Sequence, residues 1–162
     1  MGIIDDYRTG KIVEGIRKAA SVLDKRDALK SGDPLFEHIR KKILAFKPVW
    51  ITAEVAAGLI RQAEIVAIGE RVCRALHPES PETQTVFLDE LAGAMAEANK
   101  AKIVTASEAM QIVNRQAHRR IIASMVSGNY LELCAAWSPD CVFCKAERAG
   151  IKCFGLSQES RI

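Results

Sequence analysis

An all-α fold is what this chain predicts: a compact bundle of five to six helices closed by a C-terminal four-cysteine metal-binding loop. Three observations lead there. Apolar residues recur at helical spacing, capping residues stand in front of several of those stripes, and few aromatics accompany many Ala, Glu, Arg and Lys. No stretch shows strand-like alternation bounded by hairpin turns.

The elements follow in order. From Thr9 to Ser31, Ile12, Ile16, Ala19, Ala20 and Leu23 form the stripe of a first amphipathic helix, with Gly32 as its stop. Asp33 before Pro34 is an N-cap with proline at the first helical position, and the helix it opens runs to Phe46 because Pro48 cannot continue it. Thr52 caps a third helix to Leu76, whose broad stripe (Val55, Leu59, Ala63, Val66, Cys73, Leu76) marks it as central and buried. Ser80 with Pro81 restarts a fourth, with Phe87, Leu91, Ala94, Met95 and Ala98 inward and Glu82 suited to the first turn. Thr105-Ala-Ser-Glu108 reads as a capping box for a fifth helix to Val126, ended by Ser127-Gly128. Tyr130 to Ala136 is a short sixth helix, and Lys145 to Ala149 one helical turn.

A chain of 162 residues with 49% hydrophobic and 27% charged content is long enough to bury a core without crosslinks. The expected organisation is a single domain: residues 1–128 a helical bundle, 129–156 a cysteine segment packed on it, and 157–162 a loose tail. Apolar runs such as Ile65 to Ile68 are too short to span a bilayer, and Asp5 and Asp6 occupy what would be the basic region of a signal peptide. The expected location is cytoplasmic, with no membrane association. In such a reducing compartment clustered thiols hold metal or do redox work, and five cysteines, an odd count, do not pair off completely.

Four of them crowd the end of the chain: Cys134, six residues, Cys141, two residues, Cys144, eight residues, Cys153. A Cys-x-x-Cys pair bends the backbone so that both sulfurs reach one centre, and the outlying cysteines complete four ligands. Four thiolates suit tetrahedral zinc or a cubane iron-sulfur cluster. A single tight pair flanked by lone cysteines fits the cluster better than the two tight pairs of a zinc ribbon. The segment resembles the iron-sulfur cluster loop near the C-terminus of endonuclease III-like and adenine-specific DNA glycosylases. The first two gaps match that loop, Pro139 stands two residues before Cys141, and Tyr130-Leu131 leads into Cys134 as a helix does there; the last gap is longer here. The resemblance covers residues 134–153 and implies a [4Fe-4S] cluster on Cys134, Cys141, Cys144 and Cys153, with zinc as the alternative. It does not carry glycosylase activity, because the helix-hairpin-helix and the setting of the catalytic aspartate have no counterpart here. Trp137, Val142, Phe143 and Ile151 are expected to shield the centre, and Lys145, Arg148 and Lys152 to tune it.

Cys73 and His77, four apart, read as a core thiol and a helix-end histidine instead of ligands. Basic residues cluster elsewhere. Arg115, His118, Arg119 and Arg120 form one face and Lys41 and Lys42, beside His38 and Arg40, another, and both are candidates for nucleic-acid phosphates at a net charge of +3. Trp50 reads as a core residue joining helices. A phosphate-cradling glycine loop, a His-Glu-x-x-His helix and a serine elbow are absent from the sequence, and the pairs Asp5-Asp6 and Asp89-Glu90 read as solvated. The expected function is therefore a non-enzymatic accessory protein of a larger complex, with a four-cysteine centre and a nucleic-acid or protein partner. The alternatives are an iron-sulfur electron-transfer subunit of an oxidoreductase complex and a zinc-stabilised protein-interaction module.

Overall fold

The fold is mixed α/β, not all-α. A computed structural model, described over residues 2–25, 33–80, 83–116, 121–135 and 141–154, contains a six-stranded sheet in the order β1-β5-β6-β3-β2-β4, antiparallel at every pairing. In chain order its elements are α1 (Ile3–Thr9), α2 (Lys11–Asp24), α3 (Pro34–Ala45), β1 (Val49–Ile51), α4 (Ala53–Gln62) and β2 (Val66–Glu70). A 3-10 turn (Val72–Ala75) follows, then β3 (Gln84–Leu88), α5 (Asp89–Glu97), β4 (Ala101–Ile103), α6 (Ala106–Arg115), β5 (Ile121–Val126), β6 (Asn129–Ala135) and α7 (Val142–Arg148).

The helix starts expected from capping chemistry are present. Asp33 accepts from the backbone N–H of Leu35 and Phe36, Thr52 from Val55, and Thr105 from Glu108. The helix ends are what the sequence reading misplaced. Two expected long helices stop early and give way to strands, α4 to β2 and α6 to β5, and the expected fourth begins as β3 and turns helical only at α5. The expected sixth helix is β6, paired with β3 on one side and β5 on the other. The reason is burial on both faces. Val66-Ala67-Ile68, Val86-Phe87-Leu88 and Ile121-Ile122-Ala123 are continuous apolar runs, so the period-two signal of a half-exposed strand is absent and the runs extend the preceding helical stripe.

The expected first helix is also divided. Gly10, at φ 90°, ends α1 and begins α2, a left-handed conformation that glycine adopts without the steric cost of a Cβ. Gly69 in β2 has a different reason, since a Cβ there would stand 2.7 Å from the carbonyl oxygen of Lys100 and 2.9 Å from the Phe87 ring.

Two cores result. The larger surrounds the sheet: Phe87, Ala67, Ala123 and Val126 on strands, with Leu91, Ala56, Ile60 and Ala109 from the helices, are essentially inaccessible to water. The smaller joins α2, α3 and α7 through Ala19, Val22, Leu23, Ile39, Ile43, Val142 and Ala146, and continues into Ile151 and Cys153. Among the described residues no helix is long and apolar enough to cross a membrane. The expected tail at 157–162 lies outside the described residues.

Candidate thiol centre

β6 is an interior strand, and Cys134 near its end is held by register between Thr85 of β3 and Ile122 of β5. Beyond the undescribed residues 136–140, Cys141 is the N-cap of α7 and Cys144 lies in its first turn. Cys153 follows α7, buried in the small core, with its thiol directed at the Phe143 carbonyl oxygen at 3.6 Å. The fold thus draws together thiols from a central strand, a helix start and the segment beyond that helix. Cys144 feels the charge of Cys134 and Cys153, and each of those feels the charge of Cys141.

Their environments differ. A hydrogen bond between the Cys141 and Cys144 thiols raises Cys141 well above the ordinary thiol range, reinforced by burial, and lowers Cys144, whose ionised form is also favoured by Arg148. The arrangement favours ionisation of Cys144 before Cys141. Burial pushes Cys134 up to about 12, against the opposing charge of Arg71. It pushes Cys153 to about 12 as well, with Glu147 adding to the rise. Of the four, Cys144 alone is shifted toward the reactive thiolate.

Two further residues, Arg71 and Cys73, adjoin the thiols. Arg71, only 2% exposed, donates from Nε to the Cys134 sulfur at 3.2 Å and from a terminal nitrogen to the Ser80 hydroxyl at 3.4 Å. Cys73, in the 3-10 turn, is close enough to Cys134 and Cys141 for their charges to raise its pKa beyond what burial already does. Behind them Glu132 accepts a 2.6 Å hydrogen bond from Tyr7 and a longer one from Thr85, and burial raises its pKa. An acid set between Leu131 and Leu133 in an apolar strand was the available signal for Glu132. Nothing local marks Arg71, because its role depends on a strand 63 positions away.

Aromatic rings cover this region. Phe143 meets Phe46 edge-on at 5.8 Å and Phe154 at 6.4 Å, while Phe154 stacks on Trp50 at 4.4 Å. Trp50 is therefore a strand residue of β1 with a stacking partner, not a joint between helices. Val142 and Ile151 are buried as expected, and Trp137 lies outside the described residues. Lys145, expected to tune the centre, pairs instead with Asp24 and ties α7 to α2.

The expectation of a preformed metal-binding site requires correction. Among the described residues, which include all five cysteines, no group of three or more His, Cys, Asp or Glu side chains is placed to hold a metal ion. A single zinc needs its four sulfurs about 2.3 Å from one point. No such closure on one point is found among the described residues.

The basic residues are dispersed. Lys41 and Lys42 are exposed on α3, which packs on α2, whereas Arg115 is exposed at the end of α6, which packs on α4 and β2. His118, Arg119 and Arg120 lie outside the described residues. Asp89, expected to be solvated, accepts from the backbone N–H of Glu64 and Ile65. Comparison with protein-family models, with curated proteins and with solved structures finds no match, so no family assignment accompanies this geometry.

Proposed function

We propose that the chain is a thiol-disulfide redox module whose working pair is Cys141 and Cys144. What supports the reading is the placement of Cys141 as the N-cap of α7 with Cys144 in its first turn, where their interaction shifts Cys144 down and Cys141 up. That is the division of labour between attacking and resolving thiols. In the forward direction the Cys144 thiolate attacks one sulfur of a substrate disulfide and expels the other as a thiolate. Cys141 then attacks the mixed disulfide at Cys144 and gives its proton to the departing sulfur. The substrate gains two electrons and becomes two thiols, the first-expelled thiolate taking its proton from water; the protein loses two and holds a Cys141–Cys144 disulfide. In a larger complex this serves as an accessory step, reducing or oxidising a partner.

Equilibration with reduced and oxidised glutathione, read by mass, tests it. The expected result is one two-electron couple that Cys144→Ser or Cys141→Ser abolishes. Persistence of the same couple in both variants would contradict it.

A second reading is favoured by a separate observation: Cys134 and Cys153 also stand within electrostatic reach of the pair, which dithiol exchange does not require. Cys134, Cys141, Cys144 and Cys153 would then hold a [4Fe-4S] cluster, whose four irons take one thiolate each and so spread the sulfurs more widely than a single ion does. The cluster would supply one-electron transfer. Iron and acid-labile sulfide in equal amounts after anaerobic purification would establish this reading, and their absence would remove it.

A further inference from the structure

Arg71, which donates to Cys134, also lines a cleft of about 580 Å³, within the usual size of small-molecule sites. Arg71, Arg74 and Lys100 line it with one carboxylate, Glu70, which is engaged with Arg74 at 3.1 Å. The lining is thus cationic in excess. Two features add to that. Gly10 caps the 14-residue α2 at the cleft wall with no side-chain acceptor, the Val13 N–H donating to the Gly10 carbonyl, so the positive end of that helix borders the cleft. The Arg74 guanidinium is held at the cleft wall by Glu70 and by the Pro78 carbonyl oxygen, while its buried Nε has no hydrogen-bond partner among the described residues. Lys100 spends one weak 3.5 Å contact on the Tyr7 carbonyl, and a Cβ at position 10 would stand 3.3 Å from its ammonium, so the glycine leaves room for the lysine. Ile12, Val13 and Met95 supply an apolar wall.

We propose that this cleft binds the oxyanion of a small molecule, phosphate or carboxylate, between Arg74, Lys100 and the start of α2, with the apolar part of the ligand against Ile12, Val13 and Met95. The site is distinct from the thiol pair and does not need it.

Titration of the full reduced chain with inorganic phosphate at constant ionic strength, followed by NMR, tests the proposal. Saturable shifts are expected at the Lys11 and Ile12 amides and at Arg74 Nε. Lys100→Gln should weaken phosphate roughly tenfold at unchanged Tm, and phenyl phosphate should bind roughly tenfold more tightly than phosphate. Acetate and benzoate form the carboxylate arm, and the tighter series identifies the head group. The double variant Cys141→Ser/Cys144→Ser should bind equally well, which separates this outcome from the fate of the redox reading. Shifts that grow linearly without saturating for both anions, or that are unchanged in Lys100→Gln, would overturn the assignment.

Discussion

The sheet core and the small core under α7 are built on different terms. The first is closed by continuous apolar strands buried on both faces, and its buried Tyr7, Glu132 and Thr85 are hydrogen-bonded to one another. The second is short in apolar mass and ends in cysteines, held by a few aromatic contacts and the Lys145–Asp24 pair. The difference separates stability from chemistry. A region that must unfold to expose its groups cannot offer a reactive thiol, whereas Cys144 sits partly exposed at the edge of the thinner core.

Truncation should show the contrast most strongly. Phe87→Ala, at a fully buried strand position, is expected to cost about 3–5 kcal/mol and lower the midpoint of global denaturation. Phe143→Ala, at a partly buried ring, should cost about 1.5 kcal/mol and instead raise hydrogen exchange within α7. Equal global losses would mean that the two cores form one cooperative unit of uniform strength. A smaller, pH-dependent effect belongs to Glu132. Its folded pKa is raised by burial, so the associated stability is full below the ordinary carboxylate range and declines as pH rises through the folded value. Glu132→Gln keeps an acceptor for Tyr7 and removes the titration, so its stability relative to wild type should improve from about pH 4 to pH 7. A constant difference across that window would show that Glu132 does not titrate differently in the two states. Smallest is Lys145→Ala, an ion pair near the surface, at about 0–1 kcal/mol in thermal denaturation.

How much of this was legible depends on range. Caps are local, and Asp33, Thr52 and Thr105 announce α3, α4 and α6 correctly because each side chain needs only a backbone N–H two or three residues on. Strands are not. Val66-Ala67-Ile68 and Ile121-Ile122 carry no alternation once helices cover both sheet faces, so a stripe begun in α4 or α6 runs on through them without a visible break. The same limit divides the candidate site. The spacing of Cys141 and Cys144 and their company in the last stretch are sequence facts, but Cys73 and Arg71 join the thiols only after β2, β3 and β6 pair. Which thiol is acidified depends on burial and on one hydrogen bond, neither of which a spacing encodes.

The central claim is that Cys144, and not its neighbours, is the attacking thiol. Alkylation of the reduced chain by iodoacetamide from about pH 5 to pH 10, resolved cysteine by cysteine by mass spectrometry, measures it directly. The account expects Cys144 to react first and to keep reacting below the ordinary thiol range, while Cys134, Cys141 and Cys153 stay unmodified until the pH is far higher. Equal rates at all four positions, or Cys153 or Cys134 reacting ahead of Cys144, would contradict it.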